Sequence, residues 1–202
     1  ILGFFCLFYF FQDAAFGMRP ARMVGGAPYT GGQSRYRIAN AYNTNIFQGD
    51  MVAQVTGGGI AVHADAGTVP IVGVFNGCTY TDPTTSKQVF SNYFPADTAA
   101  DDIMAFVIDD PMVVFEIQAN AAFPVADLFG NFDIVYTSAG STVTGISGAE
   151  LQVTDGGTAT TLSVKAIDIS TDPENSDVAT ANTNVLVVIQ NHIFGVKGAG
   201  LA

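Results

Sequence analysis

The sequence has few of the residues that catalytic and zinc sites use. Two cysteines, Cys6 and Cys78, and two histidines, His63 and His192, occur among 202 residues, and tryptophan is absent. The cysteines lack the CxxC or Cys/His spacing of zinc sites, so we expect no zinc ion and no other cofactor. Two buried free thiols are favoured over a disulfide. A sugar-binding cleft without tryptophan is also not expected.

Charge is scarce as well. Charged residues make up 12% of the chain, about half of the share in a typical soluble domain. This indicates that neighbouring protein, rather than water, covers much of the surface. The net charge is −11, so nucleic acid is not an expected partner for the body of the protein.

The few basic residues are concentrated near the start of the sequence. Through residue 37 there are four arginines and one acid, whereas three lysines accompany seventeen acids from residue 38 onward. A basic arm on an acidic body can dock on an acidic neighbour, including another copy of the same chain. The arginines expected to bind a partner are Arg19, Arg22, Arg35 and Arg37.

The sequence opens on an apolar segment, ILGFFCLFYFFQ. Its apolar run is too short to span a bilayer, which takes about 20 residues, and no basic start or small-residue cleavage site indicates a signal peptide. A segment that inserts into a groove on a partner is favoured over a signal-like or membrane-active remnant, and over a misplaced gene start. We expect no membrane partner. The expected anchors are Phe4, Phe5, Leu7, Phe8, Phe10 and Phe11.

Residues 13–34 are rich in glycine and proline and show no period of 2 or 3.6, which is typical of an extended arm crossing a surface. The sequence therefore predicts an extended N-terminal arm over 1–34, with an apolar tip at 1–12 and a basic segment at 13–34. We expect this arm to gain its order from a neighbouring subunit. Residues 35–202 are predicted to form a β-rich body.

The body is predicted to be all-β, a barrel or sandwich of short antiparallel strands with one short helix. The helix is expected near 123–130, where a proline begins and a glycine ends the segment. The final strand, apolar for five residues, is expected to lie in the centre of a sheet. The predicted strands are 35–41, 51–56, 60–63, 68–75, 88–94, 103–108, 112–119, 133–137, 141–145, 150–154, 161–169 and 184–194.

No motif in the sequence predicts an enzyme. His63 and His192 are interpreted as strand-edge or interface histidines, and the glycine run at 57–59 as a hairpin turn rather than a phosphate loop. The pairs Asp101–Asp102 and Asp109–Asp110 flank one strand. They are interpreted as turn acids in preference to calcium ligands or a glycosidase pair, because a six-residue strand holds them about 20 Å apart.

Several stretches of the sequence resemble known proteins: Arg35–Val52, Ile71–Tyr80 with Val89–Pro95, and Ala105–Ala119. Together they resemble small virion structural proteins of marine tailed bacteriophages. The element Ile-x-x-Gly-Asp-x-Val, which begins at Ile46, is similar to one in capsid decoration (cement) proteins. These motifs are structural, so no catalytic residue is carried over.

The resemblance implies a protein on the outer surface of the capsid, bound where capsid subunits meet. The implied partners are the major capsid protein and copies of the chain itself, as a homotrimer. The arm would reach across a subunit boundary, with its arginines on carboxylates and its aromatic tip as anchor. The alternatives are another virion component (a head fibre base, a tail tube or adaptor, a minor coat subunit) and a subunit of an extracellular filament.

Overall fold

The computed structural model describes residues 13–63, 68–171, 173 and 175–195. Within them the protein is all-β, with twelve strands and a single turn of 3-10 helix at Val125–Asp127. The strands are β1 (Arg19–Met23), β2 (Ser34–Arg37), β3 (Met51–Val55), β4 (Gly59–Val62), β5 (Ile71–Thr81), β6 (Gln88–Ser91), β7 (Met104–Ile108), β8 (Val113–Gln118), β9 (Asn131–Tyr136), β10 (Ala149–Gly157), β11 (Val164–Ile169) and β12 (Asn184–Ile189). They form two antiparallel sheets of six strands, neither of which closes into a barrel over the described residues.

The first sheet has the order β1-β8-β12-β11-β9-β10. Its strand β12 lies between β8 and β11 and is largely buried, which agrees with the prediction that the apolar final strand is central. The sheet curls, because an isolated bridge joins Ala119, just after β8, to Leu151 of the far strand β10. Strand β1 is an outer strand of this sheet, next to β8, and takes no part in this bridge.

The second sheet has the order β2-β7-β5-β3-β4, with the short strand β6 paired to the far half of β5. Strand β5 bends where its pairing with β7 shifts register between Phe75 and Cys78. Gly77 lies at this bend with a φ of 127°, which few other residues adopt. This sheet curls too, because Ile38 after β2 makes an isolated bridge to Ile60 of β4.

Each sheet has its own hydrophobic core. One cluster fills the first sheet around Phe115, Phe132 and Val187, and a second fills the other sheet around Phe75 and Phe94. The two layers share a wall, since the first cluster also includes second-sheet residues. Those residues are Met51, Ile71, Val74 and Ile108.

One predicted strand is replaced by a turn in the structure. Residues 141–145, predicted as a strand, form a turn in which the Ser141 carbonyl accepts a hydrogen bond from the Gly145 N–H at 2.7 Å. The Ser141 hydroxyl also accepts from the N–H groups of Val143 and Thr144, so these groups are not free to pair in a sheet. The predicted short helix near 123–130 is present as a single 3-10 turn, preceded by Pro124.

Part of the predicted arm belongs to the first sheet. Met18 is buried and its N–H donates to the Gly49 carbonyl at 2.9 Å, and Arg19–Met23 pairs with β8. The described chain from Met18 to Met23 is therefore ordered by its own body, which differs from the expectation of an arm ordered only by a neighbour. Residues 24–33 are mostly exposed turns that lead to β2.

Candidate functional site

The arginines predicted to bind a partner lie on an outer strand of each sheet. Strand β1 is an outer strand of the first sheet and carries Arg19 and Arg22, whereas β2 is an outer strand of the second sheet and carries Arg35 and Arg37. The fold thus distributes the four charges over two edges rather than gathering them in one cluster. Charged side chains on an edge strand discourage indiscriminate strand pairing and leave the edge open to a matched partner.

Arg19 holds β1 against its neighbour. Its Nη2 lies 2.5 Å from Oε2 of Glu116 on β8, and its guanidinium lies 4.6 Å from the centre of the Phe16 ring. The other oxygen of the mostly buried Glu116 accepts a hydrogen bond from the Ser170 hydroxyl at 2.6 Å. Arg19 is therefore committed to a carboxylate of its own chain.

Arg22 makes a weaker pair. Its Nη2 lies 3.9 Å from Oδ2 of Asp168 on β11, and the side chain of Asp168 is well exposed. An exposed pair at this distance contributes little to stability, about 0–1 kcal/mol. Arg22 can exchange this contact for a partner's carboxylate at little cost.

Arg35 and Arg37 are the two arginines whose charges form no ion pair among the described residues. Among the ion pairs of the described chain, the cations are Arg19 and Arg22 alone. Arg35 instead stacks over the Phe106 ring at 5.4 Å, which holds the guanidinium plane in place without neutralising it. The β2 edge is thus the more available cationic surface.

A cleft of about 210 Å³ lies between β1 and the second sheet. Amide side chains close one side of it: Gln48 donates to Asn76 at 2.9 Å, and Asn76 donates to Gln33 at 3.0 Å. The cleft is smaller than the roughly 300–1,000 Å³ of small-molecule pockets, so it fits an apolar side chain better than a whole ligand. Its lining includes Phe16, Met18, Pro20, Val74, Ile108 and Ile146.

Asp50 directly follows Gly49, which lines this cleft. It is buried, and its carboxylate accepts hydrogen bonds from the Phe47 N–H at 2.7 Å and from the Ser147 hydroxyl. Burial raises the pKa of Asp50 from 3.8 to about 6, although the two hydrogen bonds act in the opposite direction. The sequence analysis missed this residue, because Gly49-Asp50 between strands has the pattern of an ordinary turn.

Both histidines lie inside the protein rather than at a strand edge or an interface. His63 and His192 are each about 1% exposed. His192 follows β12, where its Nδ1 accepts a hydrogen bond from the Phe194 N–H at 3.0 Å. Burial lowers the pKa of His192, although Asp109 and Asp110 act to raise it. The interpretation of these residues as edge or interface histidines is therefore wrong.

The paired acids beside β7 act as structural hydrogen-bond acceptors. Asp102 accepts from both the N–H and the hydroxyl of Thr81, and Asp109 accepts from the Tyr36 hydroxyl at 2.7 Å. Burial, followed by this contact with Asp109, raises the pKa of Tyr36 to about 12. These acids join neighbouring strands and turns.

The remaining sequence predictions have mixed outcomes. Cys78 is a buried free cysteine, as predicted, and burial raises the pKa of its thiol to about 12. The described residues contain no group of three or more His, Cys, Asp or Glu side chains that could hold a metal ion. No helix in the described part of the chain is long and apolar enough to cross a membrane. Outside the described residues lie Phe4, Phe5, Cys6, Leu7, Phe8, Phe10 and Phe11.

Comparisons with known protein families, with curated proteins and with solved structures found no match for this chain. The fold and the surface define a two-sheet all-β protein with an acidic body and arginines on an outer strand of each sheet.

Proposed function

We propose that this chain is a virion structural protein, a capsid decoration (cement) protein of a tailed bacteriophage. It binds the outer surface of the head shell at subunit junctions through its N-terminal segment, and it performs no catalysis. The observation that carries the proposal is the placement of all four arginines of an acidic chain on two outer strands, β1 and β2. In the proposal these strands face acidic neighbours at a subunit junction.

The partners in this proposal are the major capsid protein and further copies of the chain, as a homotrimer. Arg35 and Arg37 provide the charged contacts, because the described chain gives neither of them an internal ion pair. A hydrogen bond to a charged group contributes about 1.5–3 kcal/mol. Repetition over symmetric copies multiplies such modest contacts into strong attachment.

The composition supports the same proposal. With charged residues at 12% of the chain, the surface has fewer charges than water-exposed domains usually carry. The aromatic residues of the segment 1–12 add apolar anchors, each worth about 1.5–3 kcal/mol when buried. A chain of this kind is best suited to a position between other protein subunits.

The test is binding of the full chain to head shells that lack it, measured by co-sedimentation. We expect the double variant Arg35→Ala, Arg37→Ala to lower the affinity at least tenfold, since a factor of ten needs only about 1.4 kcal/mol. The matched control is Lys87→Ala, which removes an exposed cation from the turn before β6. Equal binding by all three proteins would overturn the role of the β2 edge.

Electron microscopy of the resulting particles tests the location. Density at regular positions on the head lattice is the expected result. Sixfold rings on a tail would instead assign the chain to another virion component. Open-ended polymers formed by the purified protein alone would assign it to an extracellular filament. Either of these outcomes would replace the decoration proposal.

A further inference from the structure

Four exposed apolar side chains meet at one end of the molecule. They are Val24, Met112, Ile193 and Phe194, which we call the end patch. Met112 is 50% exposed and Phe194 is 61% exposed. Single exposed apolar residues are normal on protein surfaces, but a group of them at one place marks an interaction site.

Backbone contacts show that these side chains belong to one surface. The N–H of Val24, just after β1, donates to the Met112 carbonyl at 2.7 Å. The turn that contains Met112 also meets the last described turn of the chain, because a Cβ placed on Gly195 would lie 3.6 Å from Cβ of Pro111. The end patch therefore joins the end of β1 to the turns that follow β7 and β12.

The end patch has the layout of a docking surface. Its apolar centre is bordered by Asp109 and Asp110, which lie in the same turn as Met112. Asp110 caps that turn by accepting a hydrogen bond from the Met112 N–H at 2.8 Å. An apolar centre with a polar rim is the usual anatomy of a protein interface.

We infer that the end patch binds the apolar segment 1–12 of a second copy of this chain. The inference deepens the proposed function, on which it rests for the assembly of copies: the apolar segment 1–12 joins one copy to the next, while Arg35 and Arg37 contact the head shell. The segment supplies a run of aromatic and leucine side chains without a charged residue, which matches an apolar surface. Its attachment to another copy is a head-to-tail contact, and such contacts close into rings when the rotation allows.

The direction of the chain favours a second copy over the same copy. The N–H of Ala14 donates to the Gln118 side chain at 3.2 Å, so the chain enters β1 beside the end of β8. The end patch lies at the opposite end of β8, beside Val113, about 20 Å away along six residues. Reaching its own patch would require the chain to reverse near residue 13 and return along the whole of β8. A segment that starts at one end of the molecule and a patch at the other end favour contact between successive copies, and twelve extended residues span up to about 40 Å.

The natural Cys6 allows a direct test by disulfide trapping. Wild-type chain is mixed with a tagged full chain that carries Cys6→Ser and Met112→Cys, and the mixture is mildly oxidised. We expect a covalent heterodimer on a non-reducing gel, because Cys6 of one copy reaches position 112 of the other. Cys78 contributes little background, since it is buried and its thiol is unreactive.

The matched control carries Cys6→Ser and Val143→Cys, which places an accessible thiol at a residue that is 94% exposed and outside the patch. The Met112→Cys chain should give at least tenfold more heterodimer than this control. Equal yields would overturn the inference. A third chain keeps Cys6 and carries Met112→Cys. If it forms only an internal disulfide, the segment binds its own copy and the inference is overturned. Head-shell binding is measured separately, so the proposed function can stand or fall on its own result.

Light scattering of full chains without new cysteines gives a second readout. We expect Phe194→Asp to shift the protein towards monomer and Val143→Asp to leave its mass unchanged. A wild-type chain that is monomeric at every accessible concentration would contradict the inference.

Discussion

Asp50 shows how a single residue links the arm to the body. It follows Gly49, whose carbonyl holds the N–H of Met18, and its carboxylate is held by Phe47 and Ser147. Three separate parts of the chain therefore meet at one buried acid. Because the group is buried, its charge is disfavoured and its pKa rises to about 6.

The raised pKa makes the stability of the protein depend on pH at this residue. The folded chain binds the Asp50 proton more tightly than the unfolded chain, whose pKa is 3.8. Protonation therefore stabilises the fold: the gain begins as pH falls through about 6 and is complete below 3.8. We expect the free energy of unfolding of wild type, relative to Asp50→Asn, to rise by about 2 kcal/mol between pH 8 and pH 4.

Urea denaturation of both proteins at the two pH values measures this difference. Replacing the carboxyl group by an amide has its own effect on the free energy of unfolding. That effect is the same at each pH and cancels in the comparison. A relative stability that does not change with pH, or that falls towards pH 4, would show that Asp50 is not a buried acid of raised pKa.

At the scale of elements, β1 is the strand that the sequence analysis did not find. It has five residues, contains a proline and has a register shift between Pro20 and Arg22, so no period of 2 is visible in the sequence. Its order comes from β8, almost a hundred residues later in the chain. The local sequence pattern of these residues therefore indicates an extended arm, although their pairing with β8 makes them an edge strand.

The Arg19–Glu116 pair should control how often β1 opens. We expect Arg19→Gln to speed hydrogen exchange of the β1 amides about two- to fivefold, because an ion pair whose arginine is more than half exposed contributes roughly 0–1 kcal/mol. The amides of β12 should keep their protection. Mass spectrometry of exchanged peptides gives both rates.

Arg37→Gln is the control for this experiment, since it removes an arginine from the other edge strand. It should leave exchange in β1 unchanged. If Arg19→Gln also leaves β1 exchange unchanged, backbone pairing alone holds the strand and the ion pair has no anchoring role.

The whole molecule combines two curled sheets with separate cores and a shared wall. Residues such as Met51 and Ile108 belong to the second sheet but pack in the core of the first. A substitution that destabilises one core should therefore also destabilise the other through these shared residues. We expect the two layers to unfold as one cooperative unit.

Phe94→Ala tests this cooperativity. Phe94 is fully buried in the second core, and removal of a buried phenylalanine side chain costs about 3–5 kcal/mol. Amides in β5 of the second sheet and in β12 of the first should lose the same free energy of protection under conditions of global unfolding. Native-state hydrogen exchange in low denaturant measures both.

Phe90→Ala is the matched control, because this ring is 71% exposed on β6. It should change stability by no more than about 0.5 kcal/mol. Loss of protection in β5 alone after Phe94→Ala would show two independently folding layers.

Much of the body could be predicted from the sequence. The alternating and apolar runs indicate most of the strands, and the free state of Cys78 agrees with the absence of any metal-site spacing around it. The histidines could not be placed in this way. His63 and His192 lie beside strands, and only packing from distant segments decides whether such a position is an edge or the interior.

The sequence by itself determined the all-β class, the acidic body and the location of every arginine near the start of the chain, because composition and local period depend only on neighbouring residues. The tertiary structure decided the two separate cores, the addition of β1 to the first sheet and the burial of Asp50. Each of these depends on contacts between residues far apart in the chain, and the free energy of such contacts exists only once the sheets have curled and met.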